Sequence, residues 1–256
     1  MNKTHHMHDT NRGKRAFTLS EVMMASGITI LLSGMTIFIL IAVSKIYIKS
    51  EIKNMVSEDY RSFTRLLAEQ GNTSNGFYIY RSMKATDRLT AADQVEAGDS
   101  GDLVVFVYFS VKDVKTDPNQ QGLTRIVGFF RETPGKVNSA IRWFDSSKQN
   151  WGQTFSPGNP ITLPIPPNTD TNYAIEELLP PESFKSNCPV LAQHTMGAAT
   201  GTSGGLKLFY NNTTTNNTPS LTVTGFILRA RANSGGGVAG YESQTAFNLA
   251  ITPRSN

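Results

Sequence analysis

The chain has 256 residues, which is long enough for one large domain or two small ones with a hydrophobic core, and this excludes a peptide or a pure linker. Hydrophobic residues make up 39% and charged residues only 17%, with 21 glycines and 12 prolines, a composition that favours a turn-rich protein over a helical-bundle enzyme. Most of the formal net charge of +4 comes from residues 1–16, so the rest of the chain lacks the basic footprint of a nucleic-acid-binding protein.

The chain begins with a basic leader, residues 1–16, followed by a long apolar run. Residues 22–44 contain no charged side chain and would extend about 34 Å as a helix, at about 1.5 Å per residue. That length crosses a hydrocarbon core of about 30 Å, and it exceeds the apolar region of about 7–15 residues in an ordinary secretory signal. We therefore predict a transmembrane helix over about 22–44. The positive-inside rule places the leader in the cytoplasm and everything after the helix outside it.

The helical pattern continues beyond the predicted span, since apolar residues recur there at steps of three and four. This apolar stripe consists of Ile48, Ile52, Met55 or Val56, Tyr60, Phe63, Leu66 and Leu67. Gly71 and Asn72 are typical of a left-handed helix end. The sequence therefore predicts one helix over 17–70, with one end in lipid and an apolar stripe at the other that requires a partner surface.

Residues 71–256 change to short β-rich runs bounded by Gly, Pro, Asn or Asp, which predict an exported globular domain. The predicted strands are 102–111, 124–132, 140–144, 205–210, 221–232 and 245–252. The first three favour an antiparallel meander whose apolar face covers the stripe on the helix. Residues 154–171 contain five prolines and are predicted to be a loop, and a short helix is expected at 172–179. The predicted fold class is α+β, with a long N-terminal helix packed on a mainly antiparallel sheet.

Residue types that support catalysis or metal binding are scarce. Cys188 is the single cysteine and His194 is the one histidine outside the leader, which excludes the common zinc ligand sets. The Asp-rich residues 87–117 lack the spacing of a calcium-binding loop, although they leave a calcium site open. Residues 201–205 match G-x-S-x-G, but no histidine follows them, so a flexible loop is the better interpretation. We expect no catalytic residue, no metal and no cofactor.

The most specific pattern is the junction between the leader and the helix. Residues 13–22 read Gly-Lys-Arg-Ala-Phe-Thr-Leu-Ser-Glu-Val. This order strongly resembles the leader of the type IV pilin-like and pseudopilin family. The resemblance implies that a membrane prepilin peptidase cuts between Ala16 and Phe17 on the cytoplasmic side and N-methylates Phe17. It also implies that Thr18 and Leu19 belong to the Thr-Leu-x-Glu motif of that family.

On this resemblance Glu21 is the fifth residue of the mature chain and has a role in assembly. Phe17 and Glu21 are four residues apart, so the new amine and the carboxylate lie on one face of the helix. An uncompensated carboxylate costs about 2.5–3.5 kcal/mol at the centre of a membrane helix and less near the interface, so Glu21 would favour a cation. In the family this residue is thought to pair with the N-terminal amine of a neighbouring subunit. The alternative is that Glu21 only lies at the interface of a generic anchor.

Several departures from the family pattern favour a minor subunit. Ala16 replaces the commoner glycine, no proline lies between Phe17 and Asp117, and one cysteine cannot form a C-terminal disulfide. The arrangement of residues 102–145 resembles minor pseudopilins or minor pilins of the J or W kind.

The resemblance therefore implies a non-enzymatic structural subunit of a type II secretion pseudopilus or a type IV pilus. We expect a single-pass inner-membrane protein whose domain faces the periplasm, and which enters a periplasmic or surface filament. Its expected partners are the prepilin peptidase and other pilin or pseudopilin subunits, contacted through the N-terminal helix, with no nucleic acid. Two alternatives stay open, a pilus-associated adhesin or binding module and a single-pass anchored exported domain of unknown activity.

Overall fold

The computed structural model describes residues 17–111, 120–133, 139–152, 161–164, 175–197, 199–200, 206–213, 220–230 and 241–253. The chain divides into two compact units, residues 1–48 and 49–256. The leader, including Ala16, lies outside the described residues.

The first element is helix α1, Leu19–Thr73, where the sequence predicts a helix over 17–70. It is long and apolar enough to cross a membrane. In the part of α1 that belongs to the first unit, from Leu19 to Ile48, the large apolar side chains are exposed. A helix that is apolar on all sides requires an apolar medium or neighbouring helices around it.

The second unit contains the strands and a short helix α2, Ile175–Leu178. The described strands are β1 Gly76–Tyr80, β2 Ser100–Gly101, β3 Leu103–Val111, β4 Gln120–Arg131, β5 Ser139–Asp145, β6 Ile161–Pro164, β7 Val190–Gly197, β8 Ala199–Thr200, β9 Leu206–Lys207, β10 Phe209–Asn211, β11 Leu221–Ala230 and β12 Tyr241–Ile251. Each predicted strand overlaps at least one of them, and the predicted strand 205–210 is divided at Leu208 into β9 and β10.

The described strands form two sheets, and each pairing within them is antiparallel. The larger sheet has the order β1-β3-β4-β5-β7-β11-β10-β2, with β12 paired to β11 and β6 paired to β4. Strands β8 and β9 form the smaller sheet. The predicted α+β class is confirmed, and so is the meander, because β3, β4 and β5 are consecutive neighbours.

One face of the larger sheet packs against α1. Val56, Phe63 and Leu67 of the helix are fully buried in a cluster with strand residues such as Phe129 and Phe247. The Phe63 ring lies edge-on to both phenylalanines, with ring centroids 6.5 and 5.4 Å apart. The sheet therefore covers the apolar stripe from Val56 onward, as predicted, whereas Ile48 at the start of the predicted stripe is 52% exposed.

The opposite face of the sheet is covered as well, and strand β3 shows how. Val104 and Phe106 belong to the cluster on the helix side, whereas Leu103, Val105 and Val107 belong to a second cluster that includes residues of α2. Alternate side chains of a strand point to opposite faces, so a strand covered on both faces is apolar at every position. This accounts for the unbroken apolar run at the start of β3.

The predicted helix end at Gly71 is wrong. Helix α1 continues to Thr73, and Gly71 is not among the described glycines with a positive φ. The position favours glycine for another reason, because a Cβ there would overlap Ile251 Cγ2 and would lie 3.3 Å from the Phe106 ring. Gly71 therefore allows the helix to approach β12 closely.

Two further expectations change. The predicted loop over 154–171 contains strand β6, whose residues pair with Gln120–Leu123 of β4, and Pro164 is tolerated at the strand end. Of the two alternatives for the stripe, Val56 is the residue that packs in the core, because it is fully buried whereas Met55 is 42% exposed. Strands β1, β2, β7 and β8 also lie outside the predicted strands.

Candidate functional site

The structure describes the predicted cleavage junction from Phe17 onward. Phe17 and Thr18 directly precede α1, and Leu19 is its first residue. The Phe17 and Leu19 side chains are 80% and 79% exposed. The chain on the carboxyl side of the predicted cut is therefore a helix start with exposed apolar side chains.

Thr18 and Glu21 form a reciprocal hydrogen-bonded cap at this helix start. The backbone N–H and the hydroxyl of Thr18 each donate to Glu21 Oε2 at 2.9 Å, and the Glu21 N–H lies 3.3 Å from Thr18 Oγ1. Such a capping box satisfies backbone donors that have no partner inside the helix. The sequence analysis did not identify this role, although the Thr-x-x-Glu spacing before an apolar run signals it.

The cap also orients the Glu21 carboxylate. Because Oε2 accepts from the Thr18 backbone N–H, the carboxylate is turned back toward the first residues of the helix. A negative charge at this end is stabilised by the helix dipole. If the chain is cut before Phe17, the new ammonium is one residue away along the chain from the group that holds the carboxylate.

Four hydroxyl side chains in the apolar part of α1 have hydrogen-bond partners within the helix. The hydroxyls of Thr29, Thr36 and Ser44 donate to the carbonyl oxygens four residues earlier at 2.7–2.8 Å, and Ser26 donates in the same way to Val22. A hydroxyl without a partner in hydrocarbon costs free energy, and these bonds remove that cost. This part of the helix can therefore be surrounded by lipid in spite of its Ser and Thr content.

A shallow apolar concavity of about 510 Å³ lies on the same part of the helix. Its lining residues are Ile30, Leu31, Gly34, Met35, Phe38 and Ile39. Apart from its chain neighbours and the adjacent helix backbone, no atom lies within 4 Å of the position that a Gly34 Cβ would occupy, and the same is true of Gly27. A missing side chain on an exposed helix allows close approach of a second helix.

Two buried carboxylates in the second unit are held by protein groups. Asp102 Oδ2 lies 3.0 Å from Arg131 Nη2 and 3.6 Å from Lys207 Nζ, and burial raises the pKa of this carboxyl although both cations oppose the shift. Glu176 Oε1 accepts from the Tyr80 hydroxyl at 2.8 Å and from the Gln94 amide at 3.0 Å. Both carboxylates tie separate elements together in the interior, which indicates a structural role.

Cys188 has the environment of an inert thiol. It is buried, and its Sγ donates to the Phe184 carbonyl at 3.5 Å. Burial raises the pKa of the thiol to about 11, although Arg142 opposes this shift, so the nucleophilic thiolate is scarce at neutral pH. The His194 side chain and residues 201–205 lie outside the described part of the chain.

Within the residues that the structure describes, no group of three or more His, Cys, Asp or Glu side chains is arranged to hold a metal ion. Comparison of the chain with protein families, with curated proteins and with solved structures gave no match.

Proposed function

We propose that this chain is a structural subunit of a filament of the type IV pilin kind, as a minor subunit of a type II secretion pseudopilus or a type IV pilus. The observation that carries the proposal is the residue order at the junction. A basic leader is followed by Ala16 and Phe17, and Glu21 is the one charged residue between Phe17 and Ser44. Capping alone accounts for a carboxylate in the first turn, but it does not account for the order basic leader, Ala, Phe, Thr, Leu, x, Glu before a long apolar helix.

The apolar helix supports an assembly role. Its large side chains from Leu19 to Ile48 are exposed, and the hydroxyls of Thr29, Thr36 and Ser44 are bonded within the helix, so its surface is suited both to lipid and to other apolar helices. On this proposal the subunit is held in the inner membrane with its domain in the periplasm before assembly. During assembly its helix leaves the membrane and packs among the helices of other subunits.

We propose that Glu21 sets the axial position of each subunit relative to its neighbour in the filament. In the proposed sequence a prepilin peptidase removes residues 1–16, and the Phe17 amine and the Glu21 carboxylate then carry opposite charges near one helix end. The carboxylate attracts the amine of a neighbouring subunit, because an ion pair in a medium of low dielectric is strongly favoured over two separated charges. The Thr18 cap presents the carboxylate toward that end of the helix.

The first test is the intact mass and N-terminal sequence of the protein expressed with and without its prepilin peptidase. We expect a mature chain that starts at Phe17 when the active peptidase is present, and a chain that starts at Met1 when it is absent. A chain that still starts at Met1 with an active peptidase would contradict the proposal.

A second test separates the charge of Glu21 from its capping role. Glu21→Gln removes the charge and retains a side chain that can complete the cap, whereas Thr18→Ala weakens the cap and retains the charge. We expect Glu21→Gln to be processed normally but to be lost from sheared filaments, and Thr18→Ala to be incorporated. Loss of incorporation only in Thr18→Ala would show that Glu21 acts as a cap and not as a charge.

A further inference from the structure

Strand β12 is an edge of the larger sheet that no other described strand covers. It pairs with β11 from Tyr241 to Ile251, and the described residues supply no other backbone hydrogen bond to residues 245–251. The edge at β1 differs, because the Ile79 carbonyl accepts from the Val95 N–H at 2.7 Å and the Tyr80 carbonyl accepts from the Asp102 N–H at 3.2 Å. Within the described part of the chain, the β12 edge therefore presents a row of backbone donors and acceptors that have no partner.

The sequence of β12 leaves most of this edge unprotected, since its one charged residue, Glu242, and its one register shift lie at the start of the strand. Natural edge strands usually carry lysine, proline or a bulge that prevents another strand from adding to them. Residues 243–251 contain no charged residue, no proline and no glycine. This stretch pairs with β11 in unbroken register. An unprotected edge of this length is suited to pairing with a further strand.

A groove of about 950 Å³ runs beside this edge, between residues 54–65 of α1 and residues 247–249 of β12. Tyr60, Phe247 and Leu249 contribute apolar surface to it. The helix and the strand run side by side in the same direction, since Phe247 contacts Phe63 and Ile251 lies against Gly71. A strand added about 4.8 Å from β12 would therefore lie along the helix.

Two arginines on the helix wall of the groove are available to such a strand. Arg61 and Arg65 line the groove, both are exposed, and neither has a hydrogen bond or ion pair within the described part of the chain. Glu58 is the one carboxylate among the groove residues, so the wall has a positive excess.

The spacing of these arginines matches that of a strand. Four residues of helix rise about 6 Å, which places Arg61 and Arg65 one turn apart on the same face. Two residues of an extended strand rise about 6.8 Å. Carboxylates at alternate positions of an added strand would therefore lie opposite the two guanidinium groups.

We infer that this groove binds an extended segment of a partner polypeptide, which adds as a strand to β12 and places two acidic side chains at alternate positions against Arg61 and Arg65. The backbone of β12 provides affinity and the arginine pair provides selectivity for acidic segments. This site is separate from the helix start at Phe17 and does not depend on processing there.

The test uses the full chain in detergent micelles and a labelled, acetylated and amidated peptide of alternating valine and aspartate. Fluorescence anisotropy measures binding, and hydrogen exchange with mass spectrometry locates it. We expect the peptide to slow exchange of residues 245–251, and a peptide of alternating valine and lysine to bind at least about tenfold more weakly.

Charge-reversed variants test the arginines. We expect R61E/R65E to lose affinity for the aspartate peptide by about tenfold or more and to favour the lysine peptide. The matched control is K49E/K53E, which reverses two exposed charges with the same spacing on the same helix, outside the groove. The control is expected to bind like the unmodified chain.

Modified peptides test strand addition without altering the protein. Alternate N–H groups of a strand point to opposite edges, so N-methylation of either all valines or all aspartates blocks one edge only. We expect one of the two methylated peptides to lose binding and the other to retain it. Equal binding of both would overturn the inference, as would protection confined to residues outside 245–251. Protection of these amides that rises with protein concentration, with no effect of peptide, would show a second copy of the chain on this edge and would also overturn it.

Discussion

The two parts of helix α1 differ in how their apolar side chains are surrounded. Up to Ile48 the large apolar residues are more than half exposed, and Phe38 reaches 73%. From residue 49 onward the apolar residues form a stripe, and Val56, Phe63 and Leu67 are fully buried by the sheet of the second unit. Hydrophobicity on all sides therefore marks a segment that needs lipid or other helices, whereas a stripe marks a segment that packs within its own chain.

Hydroxyls bond back to the helix itself in both parts, as Thr29 and Thr36 do in the apolar part and Thr64 does in the packed part. The packed part differs because strand residues also reach it. The Tyr108 hydroxyl donates to the Gln70 carbonyl at 2.8 Å, the Arg125 guanidinium lies 5.0 Å from the centre of the Tyr108 ring, and Arg125 Nη2 lies 2.7 Å from Asp145 Oδ2. The packed end of the helix is therefore held by contacts with the sheet.

Truncating one phenylalanine in each part of α1 tests the difference between the two parts, and Phe63→Ala has the largest expected effect on stability. We expect Phe63→Ala to lower the free energy of unfolding of the second unit by about 3–5 kcal/mol, because it removes a buried ring from the core. Phe38→Ala should leave it unchanged. Both tryptophans, Trp143 and Trp151, lie in the second unit, so urea titrations of the full chain in detergent, followed by tryptophan fluorescence, report on that unit. Equal effects of the two substitutions would contradict the division.

Asp145→Asn tests the charged contacts of the packed region. Burial opposes ionisation of Asp145, but hydrogen bonds from Arg125 and Ser147 outweigh it and hold the pKa of the carboxyl below its ordinary value. Its stabilisation is therefore present above the unfolded pKa of about 3.9 and is lost as pH falls through the folded pKa. We expect Asp145→Asn to cost about 2 kcal/mol at pH 7, and less as the pH drops below about 4.

The matched control for this pH dependence is Glu21→Gln, which removes an exposed carboxylate in the first unit. The unfolding free energy of the second unit should be the same as that of the unmodified chain at each pH. A difference between Asp145→Asn and the unmodified chain that stays constant from pH 7 to pH 3 would show that the contact does not depend on the charge of the carboxylate.

Gly71→Ala and Gly34→Ala have the smallest expected effects. Alanine favours a helix by about 0.5–1 kcal/mol over glycine, but at position 71 its Cβ meets Ile251 and the Phe106 ring. Overpacking of about 1–3 kcal/mol should outweigh the helix preference, so we expect a net loss of about 1 kcal/mol in the same titration. Gly34→Ala has open space and should leave the unfolding free energy of the second unit unchanged. A Gly71→Ala variant more stable than the unmodified chain would show that Ile251 and Phe106 shift at little cost to accept the added methyl group.

The features that could be predicted from the sequence depend on residues that are close together in the chain. The charge-free run of residues 22–44, the apolar stripe that follows it and the alternating runs of β3, β4 and β5 depend on residues close together in the chain, and they established the long helix, the α+β class and the meander. The Thr18–Glu21 cap is equally local and was readable from its spacing.

Only the tertiary structure decided which distant segments meet. Val56 is buried and Met55 is exposed, Gly71 lies at a close helix–strand contact, and β6 pairs with β4 inside a proline-rich segment. Among the described strands, β12 forms a free edge beside Arg61 and Arg65. These outcomes depend on contacts between residues far apart in the chain, as in the approach of Ile251 to Gly71. Periodicity specifies the face that a residue occupies on its own element, but packing determines what that face meets.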